Sequence, residues 1–200
     1  MLVVPVLLLT AAPAFAHHFM DGGLPATFAQ GFLSGLGHPL IGPDHAAFIV
    51  AAGFLLALVR GGLWGVAALV AGSLAGAALH LRGIDLPGGD VGVALSVVLS
   101  GGLVMARRRI GLSWLAGGLA LAGVLHGHAY AETIFGAEPA PLVAYLAGFS
   151  VVQFGVATAA CLIHRRLIAA AARRTGPLAA GLGAVVGSIG MVFVAINLAN

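Results

Sequence analysis

Apolar residues in this chain come in long, nearly unbroken runs, and polar residues gather in short clusters between them. The runs cover residues 46–59, 63–81, 91–106, 110–129, 142–163 and 177–198. A helix needs about 20 apolar residues to cross the roughly 30 Å hydrocarbon core of a bilayer. The pattern therefore predicts an all-α integral membrane protein with about six transmembrane helices. The first and third runs are short for a span. The first can borrow length from its approach, LPATFAQGFLSGLGHPLIGP, which is apolar but broken by Gly37, Pro39, Gly42 and Pro43. That approach reads as a helix followed by an interrupted, re-entrant segment. Such backbone is tolerated at membrane depth only where protein shields it or where it lines a wet cavity.

The first sixteen residues, MLVVPVLLLTAAPAFA, form a short apolar core that ends in Ala14-Phe15-Ala16. This is the A-x-A pattern of a cleavable secretory signal peptide, although its opening carries no Lys or Arg. The alternative is an uncleaved apolar segment. With cleavage, residues 17–200 form a single transmembrane helical domain that begins at His17-His18.

Composition agrees with this picture. The chain is 60% hydrophobic and 8% charged, with a mean hydropathy of +1.09, which leaves little room for a separate soluble domain. The basic residues are all arginines, and they sit at the ends of apolar runs, so the high pI reflects topology rather than a nucleic-acid surface. Arg60, Arg107, Arg108, Arg109, Arg165, Arg166, Arg173 and Arg174 share one side of a six-span arrangement, and only Arg82 lies opposite. The positive-inside rule makes the shared side cytoplasmic. Both mature termini then face the periplasm of a bacterial inner membrane. Cys161, the lone cysteine, reads as a packing residue. Glycines four apart at Gly31/Gly35, Gly61/Gly65, Gly72/Gly76 and Gly183/Gly187 let helices pack closely, and such faces also suit a homo-oligomer.

The acids Asp21, Asp44, Asp85, Asp90, Glu132 and Glu138 all fall toward the outer side, as do seven of the eight histidines. A surface rich in carboxylate and imidazole concentrates divalent metal ions. The densest part is His38 with Asp44-His45. Two geometries bring these together: a continuous, kinked helix with the histidines seven apart, or a helix restarted at Gly42-Pro43 with His38 folded back over its first turn. The structural alternative gives Asp44 to the free N–H groups and dipole of a helix start. A second group is LHGHAYAE, residues 125–132, where helical spacing pairs His128 with Glu132 and His126 with Tyr130. Glu132 could ligate or orient a ligating imidazole. His17 and His18 with a free amine could capture metal at the mature N-terminus, and His80 could add a ligand on the same side. Asp90 suits either a helix cap or the ion path. His164 reads as part of the cytoplasmic basic signal. There is no Walker-type glycine loop, so nucleotide hydrolysis by that route is excluded.

These residues resemble the HupE/UreJ family of bacterial nickel and cobalt permeases. The family's first motif, His-x5-Asp-His, stands intact as His38, Asp44 and His45. LPGGDVGVALSVVLSGGL is similar to its third span and PLVAYLAGFSVVQFG to its fifth. Its second motif, F-H-G-x-A-H-G-x-E, is set against residues 125–132. There His126, Gly127, Ala129 and Glu132 match, Leu125 replaces Phe, Tyr130 replaces the second His, and Ala131 replaces the second Gly. The resemblance implies a secondary permease that imports Ni²⁺ or Co²⁺ as its cargo, with no resident cofactor. It implies entry ligands His38, Asp44 and His45, with His126 and Glu132 receiving the ion. Two other classes compete. An intramembrane metalloenzyme would use the same groups on a fixed metal, but the sequence has no H-E-x-x-H. A membrane assembly subunit would neither bind nor carry metal.

Overall fold

The computed structural model describes residues 23–107 and 109–199, and all regular structure in them is helical. The candidate signal peptide, His17, His18, Asp21 and Arg108 lie outside the described residues. Seven helices follow in order: α1 Phe28–Ile41, α2 Pro43–Leu56, α3 Gly62–Leu81, α4 Gly89–Ala106, α5 Leu112–Glu132, α6 Pro139–Ala170 and α7 Ala172–Ala199.

The start of α1 is fixed by a capping box. Thr27 Oγ1 accepts from Gln30 N at 3.2 Å, and Gln30 Oε1 accepts from Thr27 N at 3.1 Å, so two N–H groups of the first turn are satisfied reciprocally. The helix ends where Gly42, held extended at φ −70°, ψ 111°, precedes Pro43. A residue before proline is pushed out of helical geometry, while proline itself suits the first helical position. The chain bends by 79° there and restarts as α2. Each half has 14 residues, about 21 Å at 1.5 Å per residue, too short to cross a bilayer alone. Of the two geometries the sequence allows, the restarted helix is the one found.

The surrounding helices pair through small residues. α1 runs alongside α6, and α3 alongside α5, each pair parallel. A methyl group on Gly31 or Gly35 would strike the carbonyl oxygens of Pro141 or Tyr145, and one on Gly72 or Gly76 those of Ala120 or Val124. α4 and α7 pair antiparallel, with Gly101 against Gly183 and Gly187. Three of the glycine pairs thus serve close helix contacts. In the fourth, Gly61 instead takes a left-handed turn at φ 73°, which a side chain would strain. α2 touches every other helix and is buried on all sides, with Phe48, Ile49, Ala51, Ala52, Leu55 and Leu56 at its centre. Large apolar groups such as Trp64, Trp114 and Leu99 face outward, as lipid-facing side chains do.

α3, α4, α6 and residues 175–199 are each long and apolar enough to cross a membrane, and α1 with α2 qualifies as one broken span. The protein is a multi-pass membrane protein. Against the six expected spans, α5 is the exception: it has 21 residues but is not among the helices apolar enough to pass. The physical reason is its end, where His126, His128 and Glu132 crowd the last two turns; neighbouring helices bury the two histidines, while Glu132 stays exposed.

The far end of α2 carries a second correction. His164 is not merely part of a basic signal. It is 3% exposed, stacks on Phe54 at 4.3 Å between ring centroids and donates from Nδ1 to the Phe54 carbonyl at 2.9 Å. Arg165 donates to the Val59 carbonyl at 2.9 Å. Together they satisfy carbonyls at the end of α2 that no helical N–H can reach.

Gly76→Leu is expected to cost about 1–3 kcal/mol through overpacking between α3 and α5. Gly117→Leu, where an added Cβ meets nothing within 4 Å, should stay within about 0.5 kcal/mol. Unfolding midpoints of the two variants in detergent compare them directly; equal midpoints would contradict the packing described.

Candidate metal centre at the helix break

The break between α1 and α2 brings His38, in the last turn of α1, next to Asp44 and His45, in the first turn of α2. Their ring centroids place His38 5.8 Å from His45. All three are buried at 7% exposure, a cost an apolar bundle bears only when each group is used. The Asp44 carboxylate also gains from the positive end of α2.

α5 adds the next residues. His45 Nδ1 lies 2.8 Å from Nδ1 of His126, which is fully buried and stacked on Phe48 at 4.1 Å. The proton positions follow from the neighbours. The Ser96 hydroxyl donates to the Val93 carbonyl at 2.7 Å, so its oxygen accepts from His126 Nε2–H at 2.9 Å. That leaves the lone pair of His126 on Nδ1, where it accepts from His45 Nδ1–H. A metal-binding imidazole commonly has one nitrogen tied to a hydrogen-bond partner and offers the lone pair of the other. Two nitrogens in one coordination sphere, at about 2.0–2.1 Å from the ion, stand roughly 2.9–3.3 Å apart. The observed separation is within a few tenths of an ångström of that range.

Tyr130 and Thr133 complete the buried cluster. Tyr130 packs edge-on to His45 at 4.7 Å and to His38 at 5.3 Å. Its hydroxyl is buried without a hydrogen-bond partner among the described residues, although the Asp44 charge acts on it. Thr133 Oγ1 lies 3.4 Å from His38 Nδ1 and 3.1 Å from the Tyr145 hydroxyl, which itself donates to the Tyr130 carbonyl at 2.8 Å. With the Tyr145 proton so used, Thr133 is placed to accept from His38 Nδ1–H.

The structure divides the residues singled out in the sequence. His38, Asp44, His45 and His126 come together. His128 and Glu132 do not join them, because α5 is a regular helix and they occupy its opposite face. His128 therefore cannot supply the imidazole missing at Tyr130, and Glu132 cannot act beside His126. His17 lies outside the described residues. The motif alignment needs the same correction. Residues 125–132 number eight, one fewer than the nine-residue motif. In an ungapped register its closing Glu falls on Thr133, the residue that reaches His38. Ser96, Thr133 and Tyr145 were not anticipated; in the sequence Thr133 is marked by that register and by its place seven residues after His126, on the same helical face.

Tyr130→Phe deletes a buried hydroxyl that has no hydrogen-bond partner among the described residues, so the metal-free protein should gain about 1 kcal/mol in stability. A lower unfolding midpoint in calorimetry of the metal-free variant would show that the hydroxyl is already satisfied.

Comparison with known proteins follows the same residues. No solved structure matches the chain. Protein HupE of Rhizobium leguminosarum bv. viciae is 34% identical over 122 residues, which are 60% of this chain. The chain thus covers 61% of the length of that relative. The family described as HupE / UreJ protein matches over residues 5–193, nearly the whole length, and by that extent the chain belongs to the HupE/UreJ family.

Proposed function

We propose that this protein is a secondary permease that imports Ni²⁺, or Co²⁺ in its place, from the periplasm across the bacterial inner membrane. The observation that carries the reading is His126: a fully buried imidazole on the proposed path, tied through Nε2 to Ser96, with its Nδ1 lone pair directed at His45. Membership of a family associated with nickel and cobalt uptake supports the choice of cargo and speaks against an enzyme. His38, Asp44 and His45 strip water from the arriving ion and hold it at the break. His126 takes it from the inner side of the cluster.

The arrangement suits transit rather than storage. The ligands come from both halves of a broken helix and from α5, so small shifts between these elements change the coordination. Tyr130 and Thr133 place oxygen atoms where the family motif has an imidazole and a carboxylate. Such a site keeps the Asp44 carboxylate but has one imidazole and one negative charge fewer than the motif prescribes. Since affinity of nitrogen ligands rises toward copper, fewer imidazoles should narrow the gap between nickel and its neighbours and let cobalt compete.

Uptake of labelled nickel by cells expressing the chain tests the proposal. His38→Ala and Asp44→Ala, at matched abundance in the membrane, should abolish most of the uptake; unchanged uptake in both would sink the assignment. Ser96→Ala should weaken nickel binding by about 10–100-fold by freeing the His126 ring, which equilibrium binding to the purified protein would read. Imidazoles must be neutral to ligate, so affinity should fall as pH drops through about 6.5. A binding curve flat from pH 8 to 5 would exclude histidine ligation.

A further inference from the structure

On the opposite face of α5, a second group of ligand atoms converges, and it includes no residue of the buried cluster. We propose that His80, Asp85 and His128 form a separate, outer-facing site for a divalent first-row transition-metal ion. One ligand atom from each of the three lies within 4.8 Å of the others. His80 Nδ1 stands 3.4 Å from His128 Nε2. The Ile84 carbonyl, 3.0 Å from the same His128 nitrogen, is a fourth donor in reach. Two imidazoles, a carboxylate and a carbonyl oxygen are a mixed set of the kind that borderline divalent ions accept.

The site is built rather than accidental. α3 ends in a Schellman motif: Gly83, at φ 73°, donates to the His80 carbonyl at 2.8 Å, and Ile84 donates to the Leu79 carbonyl at 3.1 Å. Two hydrogen bonds and a left-handed glycine fix the turn. This turn carries the Ile84 carbonyl and Asp85 back over His80. Gly76 and Gly127, which admit backbone contact between α3 and α5, set the distance between His80 and His128. In the absence of metal, the carbonyl holds the proton of His128 Nε2. Binding selects the tautomer with that proton on Nδ1 and turns both the Nε2 lone pair and the carbonyl oxygen to the ion.

Access is open. His128 also borders a cavity of about 490 Å³, whose wall includes Asp90 and Glu132. Six waters occupy roughly 180 Å³ at about 30 Å³ each, so a hydrated ion fits. Its two carboxylates draw cations toward His128. Glu132, which has no place beside His126, finds its use here. Because Asp85 is exposed and His80 partly so, an ion at this site exchanges with the outer water, unlike one in the buried cluster.

The test is equilibrium binding of Ni²⁺ to the full chain in detergent, with bound metal counted per protein. Relative to wild type, His80→Gln and Asp85→Asn should each lose one equivalent or bind it at least tenfold more weakly. His45→Ala should lose a different equivalent and keep this one. His128→Gln should match His80→Gln, and since His128 also holds the Ile84 turn, its unfolding midpoint is read beside it. Wild-type stoichiometry and affinity in both His80→Gln and Asp85→Asn would overturn the site, whatever the uptake experiments show. Loss in these two with nickel uptake absent in wild type would uphold the site and remove only the transport reading.

Discussion

A residue that precedes proline is forced out of helical geometry, and at Gly42-Pro43 this happens in the middle of an apolar bundle. The buried cluster of His38, Asp44, His45 and His126 depends on it. The bend ends one helix with His38 in its last turn and begins the next with Asp44 and His45 in its first. A straight helix would have spread these residues along one side over about 10 Å, at 1.5 Å per residue. The bend gathers them at a point where a helix start favours a carboxylate and where their side chains and Gly42 are covered, while Ile41 and Pro43 stay exposed. The glycine-lined contacts around it supply that cover. α1 lies close against α6, and α3 close against α5, because the contact faces carry no side chain to separate them.

Much of this was legible in the chain. The apolar runs locate α3 and α4 to within two residues and the central parts of α6 and α7, since lipid demands long uninterrupted stretches. The Gly and Pro spacing marks the break, and the His-x5-Asp-His pattern marks the ligands at it. What the sequence left open was which of two helix geometries the break adopts, because Pro39 and Pro43 can each kink or stop a helix. Proline at the first position of a restarted helix, behind an extended glycine, is the outcome that wastes no hydrogen bond.

Other features depended on which helices are neighbours. The partition of His126 from His128 follows from helical spacing, but the use of each face follows from packing: Ser96 of α4 on one side, His80 and the Gly83 turn on the other. His164 shows the same limit from the cytoplasmic end. In sequence it opens a run of arginines; in the fold it fills the last turn of α2 and satisfies its carbonyls. Thr133 was hidden by a one-residue slip in the motif, which the helix resolves by placing position 133, and not 132, on the His126 face.

The parallel pairing of α1 with α6 bears on how the molecule is made. Two helices that run the same way cannot form a hairpin, and the residues in contact here, Gly31 with Pro141 and Gly35 with Tyr145, are separated by most of the chain. During synthesis the first half of the broken span must wait in the membrane until the sixth helix arrives. Until then its bare glycine face and the polar break have only early neighbours. Arrival of α6 and enclosure of the broken span are therefore one event, and a chain stopped short of α6 leaves its most costly groups uncovered where proteolytic quality control can find them.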